Sequence, residues 1–329
     1  MVQNGNFYVS QSEFWAYFYK HPQSDMLLRH PDAERESAIF NAFVNVIYLE
    51  LSTACNRRCS YCPVSLYPRQ DSHMDETIFR RIIQELKELD YRNTLSLSLY
   101  NEPLMDPLLK ERVREIHREL PFCYIRFNSN GDYLTKELLD ELCEIGVKEL
   151  QITMQFAPNE SYTDVEARSK LDRFFQKLGM DYAIKSMREG HNITVDFIYR
   201  SLRMLVLTNH WSVDGNSRGG LIDSLNSHLR KAPCAAPFRE IAVDVDGKLR
   251  RCCNMYFTQP ELRRVDQCSL KGFFFSDEMI SLRKNLLLFR DKRISPCELC
   301  NTFDYAQNET PEKWNDVMSR RFFPENRSY

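Results

Sequence analysis

No stretch of this 329-residue chain stays apolar for the roughly 20 residues needed to cross a bilayer, so the sequence argues against a membrane protein. Its opening, MVQNGNFYVSQSEFWAYF, lacks a positively charged start, a continuous apolar core and a small-residue cleavage site. No secretory signal is read there, and the cytoplasm is the expected compartment. Charge of one sign is equally scarce. With 44 Lys and Arg against 46 Asp and Glu, a formal net charge of -2 and no block of like charge, the chain holds no general attraction for phosphate backbones or anionic lipid. Neither nucleic acid nor a membrane is an expected partner. Repeats of fixed period and low-complexity segments are also missing.

What is present is the composition of a globular protein, 43% hydrophobic and 27% charged, in a chain long enough for one large domain with an appendage or for two ordinary ones. Eleven cysteines in a reducing compartment sit as thiols, and clustered thiols there bind metal more often than each other. Three lie within residues 55–62, six within residues 234–300, and only Cys123 and Cys143 fall between. Two functional parts are the first inference.

Residues 1–42 are aromatic and charged with a helical flavour. FVNVIYLELS then reads as a strand, and it runs directly into TACNRRCSYC. DETIFRRIIQELKELD places Ile78, Ile82, Ile83, Leu86 and Leu89 at helical spacing, TLSLSLY alternates as a strand, and DPLLKERVREIHREL returns to helix. CYIRFNSNG, TKELLDELCEIG and VKELQITM repeat the rhythm as strand, helix and strand. Such alternation implies parallel strands joined by crossover helices, with chemistry gathered at the strands' C-terminal ends. Residues 155–195 fit no regular pattern, and FIYRSLRMLVLTNHW mixes helical and strand signals. From about residue 234 the chain turns to cysteines, short strands such as EIAVDVDGKLRRC, and the helical DEMISLRKNLLLF.

Cys55, Cys59 and Cys62 put three thiolates within eight residues. Three thiolates on one loop can hold three corners of an iron-sulfur cube and leave the fourth iron open to a small molecule, whereas a zinc knuckle would need a fourth ligand from elsewhere. The spacing C-x3-C-x2-C, with aromatic Tyr61 before the last cysteine and a strand before the first, resembles the signature of the radical S-adenosylmethionine (SAM) superfamily. The resemblance implies that the open iron of a 4Fe-4S cluster chelates SAM. It further implies that the reduced cluster cleaves SAM to methionine and a 5'-deoxyadenosyl radical, which takes a hydrogen atom from substrate. Tyr100-Asn101-Glu102-Pro103 is similar to the family's Gly-Gly-Glu-Pro element, in which the carboxylate meets the SAM ammonium, with Tyr-Asn standing where the family usually has two glycines. Phe127-Asn128-Ser129-Asn130-Gly131 resembles the Thr-Asn-Gly segment near the ribose, which nominates Asn128 and Asn130.

Cys234-x12-Gly247-x4-Cys252, followed by Cys297-x2-Cys300, resembles the cysteine-rich extension called SPASM in its full form and twitch in its short form. No cysteine follows Cys300, so the match is to the short form with one auxiliary 4Fe-4S cluster. Four thiolates for four irons leave no open site, which suits electron transfer; a structural zinc uses the same donors. Cys253 is either a spare thiol or a ligand in place of Cys252. Cys268 is a small buried hydrophobe or, by likeness to radical SAM epimerases, a thiol hydrogen donor. His210, Trp211 and Arg218 are candidates to line a polar substrate pocket.

The expected fold is α/β: a partial (β/α)6 TIM-like barrel of the radical SAM type with a small cysteine-rich β-hairpin and helix extension. The expected division is residues 1–42 as a helical extension, 43–228 as the core barrel, 229–305 as the auxiliary-cluster domain and 306–329 as a C-terminal tail. The expected activity is oxidation of a polar natural-product intermediate of sugar or aminocyclitol type, with the auxiliary cluster as electron acceptor and a flavodoxin or ferredoxin as reductant. Two other readings share the motifs. One is epimerisation or cross-linking of a ribosomally made peptide, against which stands the short stretch before the first strand; the other is a metal-stabilised binding protein without catalysis.

Overall fold

The computed structural model describes residues 11–156, 160–225, 230, 232–257, 263–289, 294–301 and 310–323. The expected boundaries at 228/229 and 305/306 lie outside them. Among the described residues no helix is long and apolar enough to cross a membrane. Two helices, α1 (Gln11–Lys20) and α2 (Ala33–Phe43), precede strand β1 (Val46–Leu49). A short helix α3 (Pro63–Leu66) follows the first cysteines. Then come α4 (Glu76–Glu88), β2 (Thr94–Ser96), α5 (Leu109–Glu119), β3 (Tyr124–Ser129), α6 (Lys136–Glu144) and β4 (Glu149–Met154) in the expected alternation. The start of α4 shows why its boundary was readable: the Asp75 carboxylate accepts from the Thr77 N–H at 2.8 Å, and Phe79, Ile82, Ile83 and Leu86 share the buried face.

The irregular stretch contains α7 (Asp164–Leu178), capped by Thr163, whose Oγ1 accepts from Glu166 N–H at 3.1 Å. A short strand β5 (Ser186–Arg188) comes next. The mixed segment is a hairpin of β6 (Asn192–Tyr199) and β7 (Leu202–Asn209). Its turn carries no glycine; Arg200 itself takes the left-handed conformation at φ 51°, so the usual hairpin signal is missing. After α8 (Trp211–Asp214) and α9 (Ala236–Arg239) come β8 (Glu240–Val243) and β9 (Leu249–Arg250), joined through Gly247 at φ 78° where Asp246-Gly247 predicts a turn. Helices α10 (Leu270–Phe274), α11 (Asp277–Leu286) and α12 (Pro311–Phe322) complete the order.

Among the described residues, nine strands form one unclosed sheet in the order β5-β6-β7-β4-β3-β2-β1-β8-β9. Six of them run parallel, from β7 through β4, β3, β2 and β1 to β8. The sixth parallel strand therefore comes from the cysteine-rich segment, which fuses the two expected parts through the β1–β8 ladder. Alternation sorts the faces. Ile47, Leu95, Ile125, Leu150, Met204 and Ile241 point outward into the main core under the helices. The inner face of the partial barrel instead carries Tyr48, Ser96, Arg126, Asn128, Glu149, Gln151 and Arg203, set opposite one another by the strand register.

Chain ends and extension share one aromatic cluster. Trp15 packs edge-on against Phe238 and Trp314 with ring centroids 5.3 and 5.4 Å apart. Arg283 on α11 is fully buried; it donates to the carbonyls of Pro237 at 2.9 Å, Leu27 at 3.1 Å and Phe274, and lies 3.9 Å above the Phe274 ring. Replacing it leaves three acceptors dry. Arg283→Leu is expected to cost about 3 kcal/mol of unfolding free energy, read from the midpoint of urea denaturation. An unchanged midpoint would mean that the three carbonyls are satisfied by other means.

Candidate active site

The cysteine loop leaves the C-terminal end of β1 and is gripped by the two neighbouring strand ends. From β2, the Glu102 N–H donates to the Ala54 carbonyl at 2.8 Å. From β3, Asn130 Nδ2 donates to Asn56 Oδ1 at 2.8 Å. Asp132 accepts from Asn56 Nδ2 and from Arg57 Nε, each at 2.7 Å, and from Arg57 Nη2 at 2.5 Å. Gly131 takes a left-handed φ of 76° that other residues adopt only under strain, and a Cβ there would crowd Ile152 and Phe174 at 3.0 Å. Strand ends and loop thus fix where the three thiols converge. Burial raises the pKa of Cys55, Cys59 and Cys62 above the ordinary thiol value, and neighbouring thiols of the loop add to it at Cys55 and Cys59.

Glu102 is 2% exposed. Its carboxylate accepts from Ser129 Oγ and Asn130 N–H at 2.7 Å and from Leu104 N–H at 3.1 Å, all neutral donors, and burial pushes its pKa up. A desolvated carboxylate held by neutral groups is stabilised by an incoming cation, which is what an ammonium ligand supplies. Of the other residues nominated for SAM, Asn130 touches the loop through Asn56, and Asn101 turns its Oδ1 back to Leu99 N–H at 3.0 Å. Pro103 opens the short 3-10 turn that ends on Met105. Tyr61 is stacked on Trp211 at 4.7 Å, so Trp211 braces the cysteine loop. Asn128 does not join this set; it lies on the inner wall beside Arg126.

Tyr100, where the resemblance expects glycine, ties the first site to the second. Its OH donates to the Cys253 carbonyl at 2.9 Å, and its ring meets Tyr256 edge-on at 4.9 Å. Behind it the fully buried Glu50 accepts from Arg69 at 2.7 and 2.8 Å and from Tyr100 N–H at 3.1 Å. Arg218 completes the contact. It adopts a left-handed φ of 51°, a conformation costly for arginine, and Nη1 donates to Asn254 Oδ1 at 2.6 Å. Tyr100, Cys62, Cys253 and Tyr61 are all within its electrostatic reach, so this cation stands beside Cys62 of the first site, on the side from which Cys253 approaches.

The later thiols also converge. Cys297 senses Cys234 and Cys300, and Cys252 senses Cys297 and Cys234; burial pushes Cys297 up to about 12. Arg230, 4% exposed, lies against Cys234, Cys297 and Cys300, a cation where thiolate charge would collect. Cys253 points elsewhere, toward Glu240, Arg218 and Tyr48, so the adjacent pair divides between the two sides. Among the described residues no group of three or more His, Cys, Asp or Glu gathers tightly enough to hold a single ion. Donors that are all sulfur, at electrostatic range from one another and beside a buried cation, fit a cube.

His210 and Cys268 stay apart from this centre. His210 stacks on Tyr162 at 5.1 Å and meets the Gly190 carbonyl through Nδ1 at 3.0 Å. Cys268 Sγ faces the Ser269 carbonyl at 3.5 Å, with Arg263 at 3.7 Å. Sequence reasoning missed a cavity of about 280 Å3 beside the loop, lined in part by Arg57, Gln155, Lys170 and Lys177. Gln155 Oε1 lies 3.5 Å from Cys59 Sγ. The helical spacing of Lys170, Arg173 and Lys177 was the available signal, inside the stretch left unassigned.

The sequence model of the Radical SAM superfamily matches residues 49–199, from the end of β1 to the end of β6. Residues 49–199 thus carry a radical SAM domain, the domain of enzymes that work with SAM and a 4Fe-4S cluster. Over 280 residues it is 23% identical to the S-adenosyl-L-methionine-dependent 2-deoxy-scyllo-inosamine dehydrogenase of Niallia circulans, covering 83% of this chain and 98% of that protein. A shorter match, 29% identical over 112 residues, covers 34% of this chain and 31% of the tungsten-containing aldehyde ferredoxin oxidoreductase cofactor-modifying protein of Pyrococcus furiosus. In fold it resembles the crystal structure of BtrN in complex with AdoMet and 2-DOIA, with a TM-score of 0.61 and 22% identity over 81% of this chain and 96% of that one.

Proposed function

We propose that this enzyme oxidises a ring hydroxyl of a polar natural-product intermediate, of sugar or aminocyclitol type, to a ketone. Cys55, Cys59 and Cys62 hold the SAM-binding cluster, Glu102 receives the SAM ammonium, and Cys234, Cys252, Cys297 and Cys300 hold a closed auxiliary cube. When bound, these groups supply a 5'-deoxyadenosyl radical that takes the carbinol hydrogen and an acceptor for the electron left on the substrate. Arg218, beside Tyr100, Tyr61 and Cys62, orients the substrate hydroxyl and favours loss of its proton by stabilising the oxyanion. In each turnover one C–H and one O–H bond break and a C=O bond forms. SAM becomes methionine and 5'-deoxyadenosine, and the electron spent on SAM, first delivered by a reductant such as flavodoxin or ferredoxin, is returned.

The observation that carries this reading is the gathering of Cys234, Cys252, Cys297 and Cys300 within electrostatic range of one another around buried Arg230, four thiols for four irons. Near full-length likeness to an aminocyclitol dehydrogenase supports the substrate class. The test is turnover of 2-deoxy-scyllo-inosamine and related cyclitols deuterated at each carbinol carbon. One labelled position is expected to pass its deuterium to 5'-deoxyadenosine, with one SAM consumed per ketone. A product at the substrate's oxidation level, with the labelled deuterium replaced by hydrogen from solvent, would replace dehydrogenation with epimerisation.

A further inference from the structure

The inner wall of the barrel holds a second polar constellation, one pleat below the cysteine loop. Arg126 is 2% exposed; its Nε donates to Glu149 Oε1 at 2.7 Å, and its Nη2 donates to Asn128 Oδ1 at 3.0 Å and to Gln151 Oε1 at 3.1 Å. A guanidinium only donates, so each amide must turn its oxygen toward Arg126. Both NH2 groups therefore point away from the arginine, and their orientation is set by chemistry. Asn128 and Gln151 are directly paired in the β3–β4 register, on strands about 4.8 Å apart. Asn128 is exposed and Gln151 half-buried, and among the described residues neither NH2 has an acceptor. On the adjacent β2, fully buried Ser96 also has a hydroxyl without a partner.

The charges below this pair are taken up in ion pairs, with the exposed Lys185, 2.6 Å from Asp196, at their outer end. Arg126 and Arg203 share Glu149, at 2.7 and 3.1 Å, and Arg203 also reaches Asp196 at 2.9 Å. What the wall presents to the lumen is therefore two parallel, neutral donors rather than a net charge. Neutral donors side by side match oxygens on adjacent carbons of one ring. They do nothing for an ammonium, and they lack the charge that selects a carboxylate or phosphate.

We propose that Asn128 and Gln151 form a donor pair that grips two neighbouring oxygens of a neutral, polyhydroxylated face of the substrate ring, and that Arg126 is the positioning residue that aims both amides. This rests on the reading of the chain as an oxidoreductase of a polar ring compound. It moves Asn128 from the SAM ribose to the substrate, and it gives Gln151 a role that no sequence motif announced.

The test is calorimetric binding of myo-inositol and of 2-deoxy-scyllo-inosamine to the reconstituted, SAM-loaded holoenzyme. Asn128→Leu and Gln151→Leu are each expected to weaken ring binding about fivefold to tenfold while SAM affinity stays within about twofold. Gln151→Glu keeps the size but exchanges the donors for acceptors, and the same loss is expected. Ring affinity unchanged in Q151E, or a loss confined to SAM, would overturn the donor pair and leave the proposed function standing. A wild-type enzyme that binds neither ring would overturn the substrate class, and the donor pair with it.

Discussion

Cys59→Ala abolishes SAM cleavage: formation of 5'-deoxyadenosine under dithionite falls by at least about a thousandfold, to background. The size of the effect follows from a loop that supplies three thiolates and no substitute. Cys59 Sγ meets the Gln155 carboxamide, at 3.5 Å, and the neighbouring Tyr61, neither of which anchors the fold, so little stability goes with the thiol. Far-ultraviolet circular dichroism and the urea midpoint should match wild type, and reconstituted iron should fall by about four per chain. The hydrogen bonds through Asn56 and Arg57 that seat the loop remain in place, which separates loss of the cluster from loss of the site's architecture. A variant that still makes 5'-deoxyadenosine at more than a few per cent of the wild-type rate would move the chemistry off this loop.

Cys297→Ala has the opposite signature. SAM cleavage persists, because the first cluster is intact, but ketone falls by about a hundredfold relative to 5'-deoxyadenosine formed. Uncoupling is the informative result. A radical formed on the substrate without an acceptor for its electron is quenched or reverts, so SAM is consumed without product. The same uncoupling is expected in Cys300→Ala. Cys253→Ala should leave iron content unchanged, because its side chain faces Glu240, Arg218 and Tyr48. Tight coupling of SAM to ketone in Cys297→Ala, measured by chromatography of both products, would remove the auxiliary centre from electron transfer.

Much of this architecture could be read from residue order. The strand–helix rhythm from FVNVIYLELS to VKELQITM depends on local periodicity, and it survived folding because each helix buries one stripe against one strand face. The first thiols lie within a single loop, and Asp246-Gly247 forms the hairpin it predicts. What escaped depends on distance along the chain or on register. Strand β8 joins β1 across 190 intervening residues, and no local signal says which edge it takes. The β6–β7 hairpin hid because Arg200 does a glycine's work at the turn. Arg218 was only one basic residue in a Gly-rich segment until folding placed Asn254 and Tyr100 beside it. Gln151 acquires meaning only through the β3–β4 register that sets it opposite Asn128, with Arg126 one pleat below.

The central claim is that one chain holds two cubes with different jobs, one open to SAM and one closed by four thiolates. Mössbauer spectroscopy of anaerobically reconstituted, iron-57-enriched protein, with and without SAM, tests it most directly. About eight irons per chain are expected, all in 4Fe-4S form, with SAM perturbing one iron site of one cube and leaving the other cube unchanged. About four irons, zinc bound by Cys234, Cys252, Cys297 and Cys300, or a SAM-induced change in both cubes would contradict it.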